Sequence, residues 1–563
     1  MAGLPHADRL WRLRRRALLA ASCLLLAVTA SSARADSPVA PLAERWLEHR
    51  LGRRPDVAVR LGASWVRGVG ARARGLTSTD TTWIAPLERD VRAVRRTKLT
   101  ADEALDVDLL LARLAEDRLE LARERRYERD PGLPLRPTAA AIRATLEDPS
   151  RSPQDRAVRA ADWLATVPEI LRGATSALRD PGADETAAAV ADARSIAGLL
   201  REGVPGYTEA RAPGPLAQLA VSDSAAVRAL LAFADHLELD VLPHATASPP
   251  PDRESVVRRL EVWRSRATPE SLLARARREI ATHRSAMEAI AARMPGAPNV
   301  PAALAMLDDD LVPADSVPVL AATTLEDLRG VLVQKRLLPP SRVAPLRIER
   351  AAWSAPGDPA VRLVMSGAWS RRDRAALRLL IPPVGTAPHV ARTDLVLDVA
   401  AAGVPGRWSA ELARRAAPSR LRQALTLDFT DDAWALYAAR LATPLLEGDA
   451  ARLELAWRAR ESRALARAAA HLSIALGADL DAAAAELAAA GVPEDRARDE
   501  ARRAAWDPAA LGDALVLWRV LDLRAQTGTA RPDVVHDAVL RLGVPLSSTT
   551  GVNVPGVHES RSH

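Results

Sequence analysis

At 563 residues, with 48% hydrophobic and 26% charged side chains, the chain has the composition of a folded protein long enough to bury an extensive core. Only three Tyr and two Phe accompany 13 Trp, so that core must be built mainly from Ala, Leu, Val and Trp. Six Arg (Arg9, Arg12, Arg14, Arg15, Arg16 and Arg34) against Asp8 place +5 of the formal +7 within the first 35 residues, which leaves about +2 elsewhere and removes the main support for nucleic-acid binding.

The same 35 residues have the make-up of an export signal. A basic stretch precedes the apolar run Ala17 to Thr29, and Ala33-Arg34-Ala35 forms a small-x-small cleavage site. The run is short for a bilayer span, so cleavage is expected to leave no transmembrane segment and a periplasmic or extracellular location. The single cysteine, Cys23, would leave with it, and with it any disulfide or thiol chemistry.

From residue 36 to 245 the apolar spacing is helical almost throughout. Trp46, Leu47 and Leu51 open the pattern, and long helices are predicted at Ala101–Arg126, Arg156–Leu178, Glu185–Arg201 and Ala225–Leu242. A Pro-rich break at Ala245–Asp252 separates this N-terminal half from a second, residues 253–546. There, helices are predicted at Arg253–Arg264, at Pro269–Met294 with Thr268 as N-cap, and at Leu325–Lys335. Between about 344 and 383 the period shortens, and three runs bounded by Pro and Gly read as a small β ribbon or sheet. Helix then resumes over Thr393–Ala416, kinked or split at Pro405-Gly406, and continues to Leu542; residues 547–563 read as a mobile tail. The fold class expected is mainly α, one large multi-helix body with a β insert and a groove between its halves.

Residue inventory excludes several chemistries. Lys98 and Lys335 are the only lysines and neither belongs to a phosphate-binding loop or a Ser-x-x-Lys pair, and no Gly-x-Ser-x-Gly elbow occurs. The ten His never fall at the spacing that puts two ligands on one helix face, so no His-x-x-x-His or Glu-x-x-His pair exists.

Several stretches carry a resemblance. Arg54-Pro55-Asp56 through Leu61-Gly62, Asp106-Val-Asp108, Tyr127-Glu-Arg-Asp-Pro131, the break Val404-Pro405-Gly406 and the run Trp434-Ala-Leu-Tyr437 occur in the order found in the bacterial family called domain of unknown function 885. Its members resemble helical zinc peptidases of the His-Glu class. The resemblance implies a motif His-Glu-Ala-Val-Pro-Gly-His-His, and aligning it on Val404-Pro405-Gly406 puts Ala401 and Ala402 at the His and Glu, and Arg407 and Trp408 at the paired His. The acid of the second motif falls on Asp432. Ala at the first His and the Glu removes a nitrogen donor and the general base, and Arg407 brings a fixed positive charge where a dication would sit.

The resemblance therefore implies a pseudoenzyme with no catalytic residues, no metal and no cofactor. Ala401, Ala402, Pro405, Gly406, Arg407, Trp408 and Asp432 are its degenerate-motif positions, and Arg407 is expected to pair with Asp431 or Asp432. Phe429, Trp434, Tyr437 and Trp408 read either as walls of a groove for a peptide or protein, or as core, since Trp434 and Tyr437 share one helix face. The alternatives are an active hydrolase with a relocated or metal-free site, for which Glu411, Asp431 and Asp432 supply carboxylates, and a structural envelope protein.

Overall fold

The computed structural model describes residues 37–63, 74–211, 216–247, 251–350, 361–370, 375–379, 390–425, 430–446, 450–526 and 531–542. The predicted export signal, the tail at 547–563 and Phe429 lie outside these residues.

Helix starts follow from local chemistry. Thr100 and Glu103 exchange hydrogen bonds as a capping box at the start of Ala101–Asp117, and the Ser152 side chain accepts from Asp155 N–H ahead of Pro153. Thr268 caps Pro269–Ala291 as its sequence predicts, accepting from Ser271 N–H at 3.2 Å. Three predicted helices are divided. The span from Ala101 is α-helical to Asp117 and widens into a π-helical turn over Arg118–Arg123. Arg125, at φ 49°, then turns the chain into the short helix Arg126–Arg129. The span predicted from Arg156 separates into Pro153–Leu164 and Val167–Ala177, because Pro168 cannot continue the earlier hydrogen-bond ladder. The span predicted from Ala225 runs as α-helix over Leu216–His236 and becomes a π-helical turn at Leu237–Val241.

The β insert is a three-stranded sheet in the order β1 (Arg347–Arg350), β3 (Ala375–Leu379), β2 (Val361–Met365). β3 pairs parallel with β1 and antiparallel with β2, with Leu377 opposite both Ile348 and Leu363. As the central strand it carries the most buried side chains of the three.

Three packing units position the cleft. Helices from Leu135 to His236 form one apolar cluster around Trp163, Leu164 and Phe233. The first helices, Ala40–Arg53 to Ala101–Asp117, form a second around Trp46, Leu47 and Leu110, which also draws in Leu421, Ala424 and Leu425 from late in the chain. The largest cluster runs from Val256 to Leu540 and holds Trp408, Trp434 and Tyr437. Polar ties join the units. Arg422 reaches Asp106 at 2.6 Å and Asp102 at 3.0 Å, Trp263 Nε1 donates to Glu116 at 3.1 Å, and Arg362 meets Glu147 at 2.9 Å. Trp369 N–H donates to Leu61 O at 2.8 Å.

Two glycines give a contrast in backbone tolerance. A Cβ on Gly406 would lie 2.0 Å from Ala401 O, whereas among the described residues nothing lies within 4 Å of one on Gly330, inside helix Val317–Gln334. Gly406→Ala is expected to lower unfolding stability by about 3 kcal/mol or more, and Gly330→Ala to raise it by about 0.5–1 kcal/mol. Thermal unfolding of the two variants checks the pair.

Candidate functional site: a charged cleft beside the Val-Pro-Gly turn

Helix Arg392–Ala402 stops where the chain must reverse. Gly403 (φ −91°, ψ −118°) leaves helical geometry, the Val404–Pro405 peptide is cis, and Gly406 N–H donates back to Ala400 O at 3.0 Å. Both glycines are sterically required, since a Cβ on Gly403 would meet Val399 O at 2.7 Å. A new helix, Arg407–Arg415, begins at once. Helix Thr430–Ala442 is anchored to this turn by Trp434 Nε1, which donates to Pro405 O at 2.8 Å.

That anchor sets Asp432 opposite Arg407. Arg407 Nη2 donates to Asp432 Oδ1 at 2.6 Å, the pairing expected from the sequence. Both side chains, with Asp431, face a cleft of about 820 Å³ between the first helices and the late ones. The other degenerate-motif positions stand behind the wall. Ala402, Pro405 and Gly406 are buried and Ala401 is half-buried, with its carbonyl against Gly406. Trp408 is buried too, and its Nε1 donates to Ala344 O at 2.8 Å.

Trp434 and Tyr437 belong to the interior and do not line the cleft, so the core reading of these aromatics is the one their burial follows. Tyr437 Oη lies 2.7 Å from His536 Nε2, and His536 Nδ1 lies 2.7 Å from Leu337 O. Burial pushes the His536 imidazole down to about 4 and the Tyr437 phenol up to about 12. A neutral ring then donates from Nδ1 to the carbonyl and accepts the phenol proton at Nε2. Glu411, also buried, is held by Arg414 and Arg415 and faces away from the cleft.

Sequence reasoning missed most of the cleft. Its walls include Arg54 and Asp56, paired at 3.0 Å, and Arg126, Tyr127 and Asp130 from the turn after the π-helical segment. Across from them stand Trp506, Asp507 and Asp513. The signal for the first wall was present, because Arg54-Pro55-Asp56 and Tyr127-Glu-Arg-Asp-Pro131 are among the stretches that carry the family resemblance. Asp507 and Asp513, one on each side of the start of helix Ala509–Gln526, belong to no motif in the sequence.

The carboxyls here are strongly perturbed. Desolvation, with Asp432 and Asp507 adding negative charge and Arg407 and Arg467 opposing, pushes Asp513 up to about 8. Its Oδ1 is buried without a hydrogen-bond donor among the described residues. Asp130 is raised to about 6, again by burial, against Arg126 and the Gly132 N–H bond at 2.8 Å. Asp431 is raised by burial, against Arg414, Arg60 and Arg407. Among the described residues no three His, Cys, Asp or Glu side chains gather closely enough to hold a metal ion, and those lining the cleft include no His.

A mainly α-helical body with a small three-stranded sheet and a charged cleft lined by early and late residues defines the structural class. The chain matches, over residues 70–547, the family described as bacterial protein of unknown function (DUF885), and it belongs to that family. No functionally curated protein matches it. Among solved structures it is similar to a "putative lipoprotein of unknown function" from Shewanella oneidensis, with TM-score 0.64 at 15% identity, covering 90% of this chain and 97% of that one. It is also similar to a "putative lipoprotein" from Colwellia psychrerythraea, with TM-score 0.63 at 14% identity, covering 92% and 98%. At such identities the likeness establishes a shared fold.

Two outcomes test the electrostatics. The Arg407–Asp432 pair is 39% and 64% exposed, so Arg407→Ala should cost under about 1 kcal/mol. Asp117 is 5% exposed and holds both Arg53 and Trp46 Nε1, so Asp117→Ala should cost about 3–5 kcal/mol. Denaturant titration separates them. For Asp513 the folded carboxyl keeps its proton to about pH 8 while the unfolded one loses it near 4, so its contribution to stability is present below pH 4 and lost as pH rises towards 8. Asp513→Asn should therefore unfold at a higher temperature than the parent at pH 8, with the difference closing by pH 4.

Proposed function

We propose that this protein is an exported, catalytically inactive relative of helical zinc peptidases whose central cleft binds a peptide or protein segment. The observation that carries the reading is the Arg407–Asp432 ion pair on the cleft wall. In the family resemblance these two positions belong to one of the paired His and to the acid of the second motif. A guanidinium there repels a dication and occupies the carboxylate that remains, and Ala401 and Ala402 offer neither a nitrogen donor nor a general base.

Export is supported by the basic-apolar-small pattern of the first 35 residues. The "putative lipoprotein" descriptions of the two similar structures agree with an envelope location. Among the described residues no helix is long and apolar enough to cross a membrane.

One observation favours a second reading, hydrolysis without a metal. Asp513, raised to about 8, stands near Asp432 and Asp507 in the cleft, and a carboxyl that keeps its proton near neutral pH is raw material for general acid catalysis. Metal analysis combined with a peptide-hydrolysis assay decides between the readings. The inactive scaffold predicts zinc well below one atom per chain and no cleavage of unblocked peptides with or without added zinc. One tightly held zinc per chain, or cleavage that Asp513→Asn abolishes, would overturn it.

A further inference from the structure

The cleft walls carry nine arginines and ten carboxylates among their described residues, so the site as a whole is close to neutral and offers no net field to a polyanion or a polycation. Most of these charges already have partners. Arg54 and Arg60 hold Asp56, Arg136 holds Asp192, Arg259 reaches Glu120, and Arg407 holds Asp432. Once such pairs are set aside, the polar groups left facing the cleft differ between its two sides.

On the early-chain side, Arg126 has no carboxylate within ion-pair distance among the described residues. It feels Glu120, Asp130, Asp507 and Glu124 only through space. Beside it, the Tyr127 hydroxyl makes no hydrogen bond to a described residue, and Arg53, Arg50 and Arg54 supply positive charge around it. On the late-chain side, Asp513 has an oxygen buried without a donor, and Asp507 and Asp431 have no ion-pair partner among the described residues. A guanidinium and a phenol are the donors that grip a carboxylate, and a desolvated carboxyl group beside two further acids is the acceptor that grips an ammonium. A volume of about 820 Å³ is within the range of small-ligand sites and too small for a folded partner.

We propose that the cleft is a receptor for short peptides with both ends free, the terminal carboxylate held by Arg126 and Tyr127 and the terminal ammonium held by Asp513 with Asp507. This rests on the binding reading of the cleft given above and deepens it by naming the ligand's two recognised ends. It also accounts for the state of Asp513. Near neutral pH burial and the neighbouring Asp432 and Asp507, against Arg407 and Arg467, keep its carboxyl protonated. An arriving ammonium supplies the missing positive charge, and the carboxyl gives its proton to solvent as the ion pair forms. The empty site is spared a buried, uncompensated anion, and ligand binding is coupled to proton release.

The test is calorimetric titration of the full chain at pH 7 with trialanine, N-acetyl-trialanine and trialanine amide, each in two buffers of different ionisation enthalpy. Trialanine should bind with a buffer-dependent heat that reports proton release. Blocking either end should weaken binding by at least about tenfold, the loss of one charge-assisted contact. Asp513→Asn copies the shape of the protonated carboxyl and should fold; it should abolish the proton release and the penalty for acetylation while leaving the penalty for amidation. Arg126→Gln should do the converse, and Tyr127→Phe, which keeps the ring, should weaken trialanine but not its amide should Arg126→Gln fail to fold.

Equal binding of free and blocked trialanine would overturn recognition of the ends and leave the cleft as a binder of internal peptide segments. If neither trialanine nor an unblocked decapeptide produces heat, the binding reading itself falls and this inference with it. Proton release that persists in Asp513→Asn would remove Asp513 from the ammonium site.

Discussion

Gly406 has no room for a side chain, and the rest of the site depends on that constraint. The chain doubles back so tightly after helix Arg392–Ala402 that the place of a Cβ is taken by the Ala401 carbonyl. Because the reversal is this close, the next helix begins at Arg407 and points that residue at the cleft. The Pro405 carbonyl is left turned towards Trp434 Nε1, which pins helix Thr430–Ala442 and delivers Asp432. One backbone approach thus sets the geometry of an ion pair formed by residues 25 positions apart. The turn is flanked by Ala401, Ala402, Arg407 and Trp408, none of which offers a metal ligand or a general base.

The cleft exists because early and late segments of the chain are tied at their edges and left apart at the middle. Arg422 and the Leu421–Leu425 segment dock late chain onto the first helices, and Trp369 bonds the β insert to Leu61. Trp263 on Glu116 and Arg362 on Glu147 close further edges. Between these ties the polar walls cannot collapse onto each other without burying unpaired charge, which costs several kcal/mol for each ion left without a partner. Such a cleft is pre-formed, and most of its arginines are held in place by carboxylates, which lowers the ordering cost a ligand would otherwise meet.

The helical class, the β insert and the break at Pro405-Gly406 were legible in the sequence because each is written in local terms: apolar spacing, strand-length runs between Pro and Gly, and residues that cannot continue a helix. Thr268 as a cap and Arg407 opposite Asp432 were legible for the same reason, one from a local signature and the other from a motif register. The π-helical turn at Arg118–Arg123 was not, since nothing in its residue types distinguishes it from the α-helix it extends. Asp513 and Arg126 were not legible either. Their significance lies in burial and in the partners they lack among the described residues, and both arise from segments hundreds of residues apart meeting across one cavity. Trp434 and Tyr437 were ambiguous between wall and core, and the His536 ring that packs against both settles them in the interior.

The central claim is that this cleft holds a peptide without cutting it, and hydrogen exchange with an unblocked tetraalanine tests that most directly. The account predicts slowed exchange of backbone amides at residues 126–133 and 506–513, on the two facing walls, with the peptide recovered intact. Unchanged exchange at both segments, or recovery of the peptide as fragments, would contradict it.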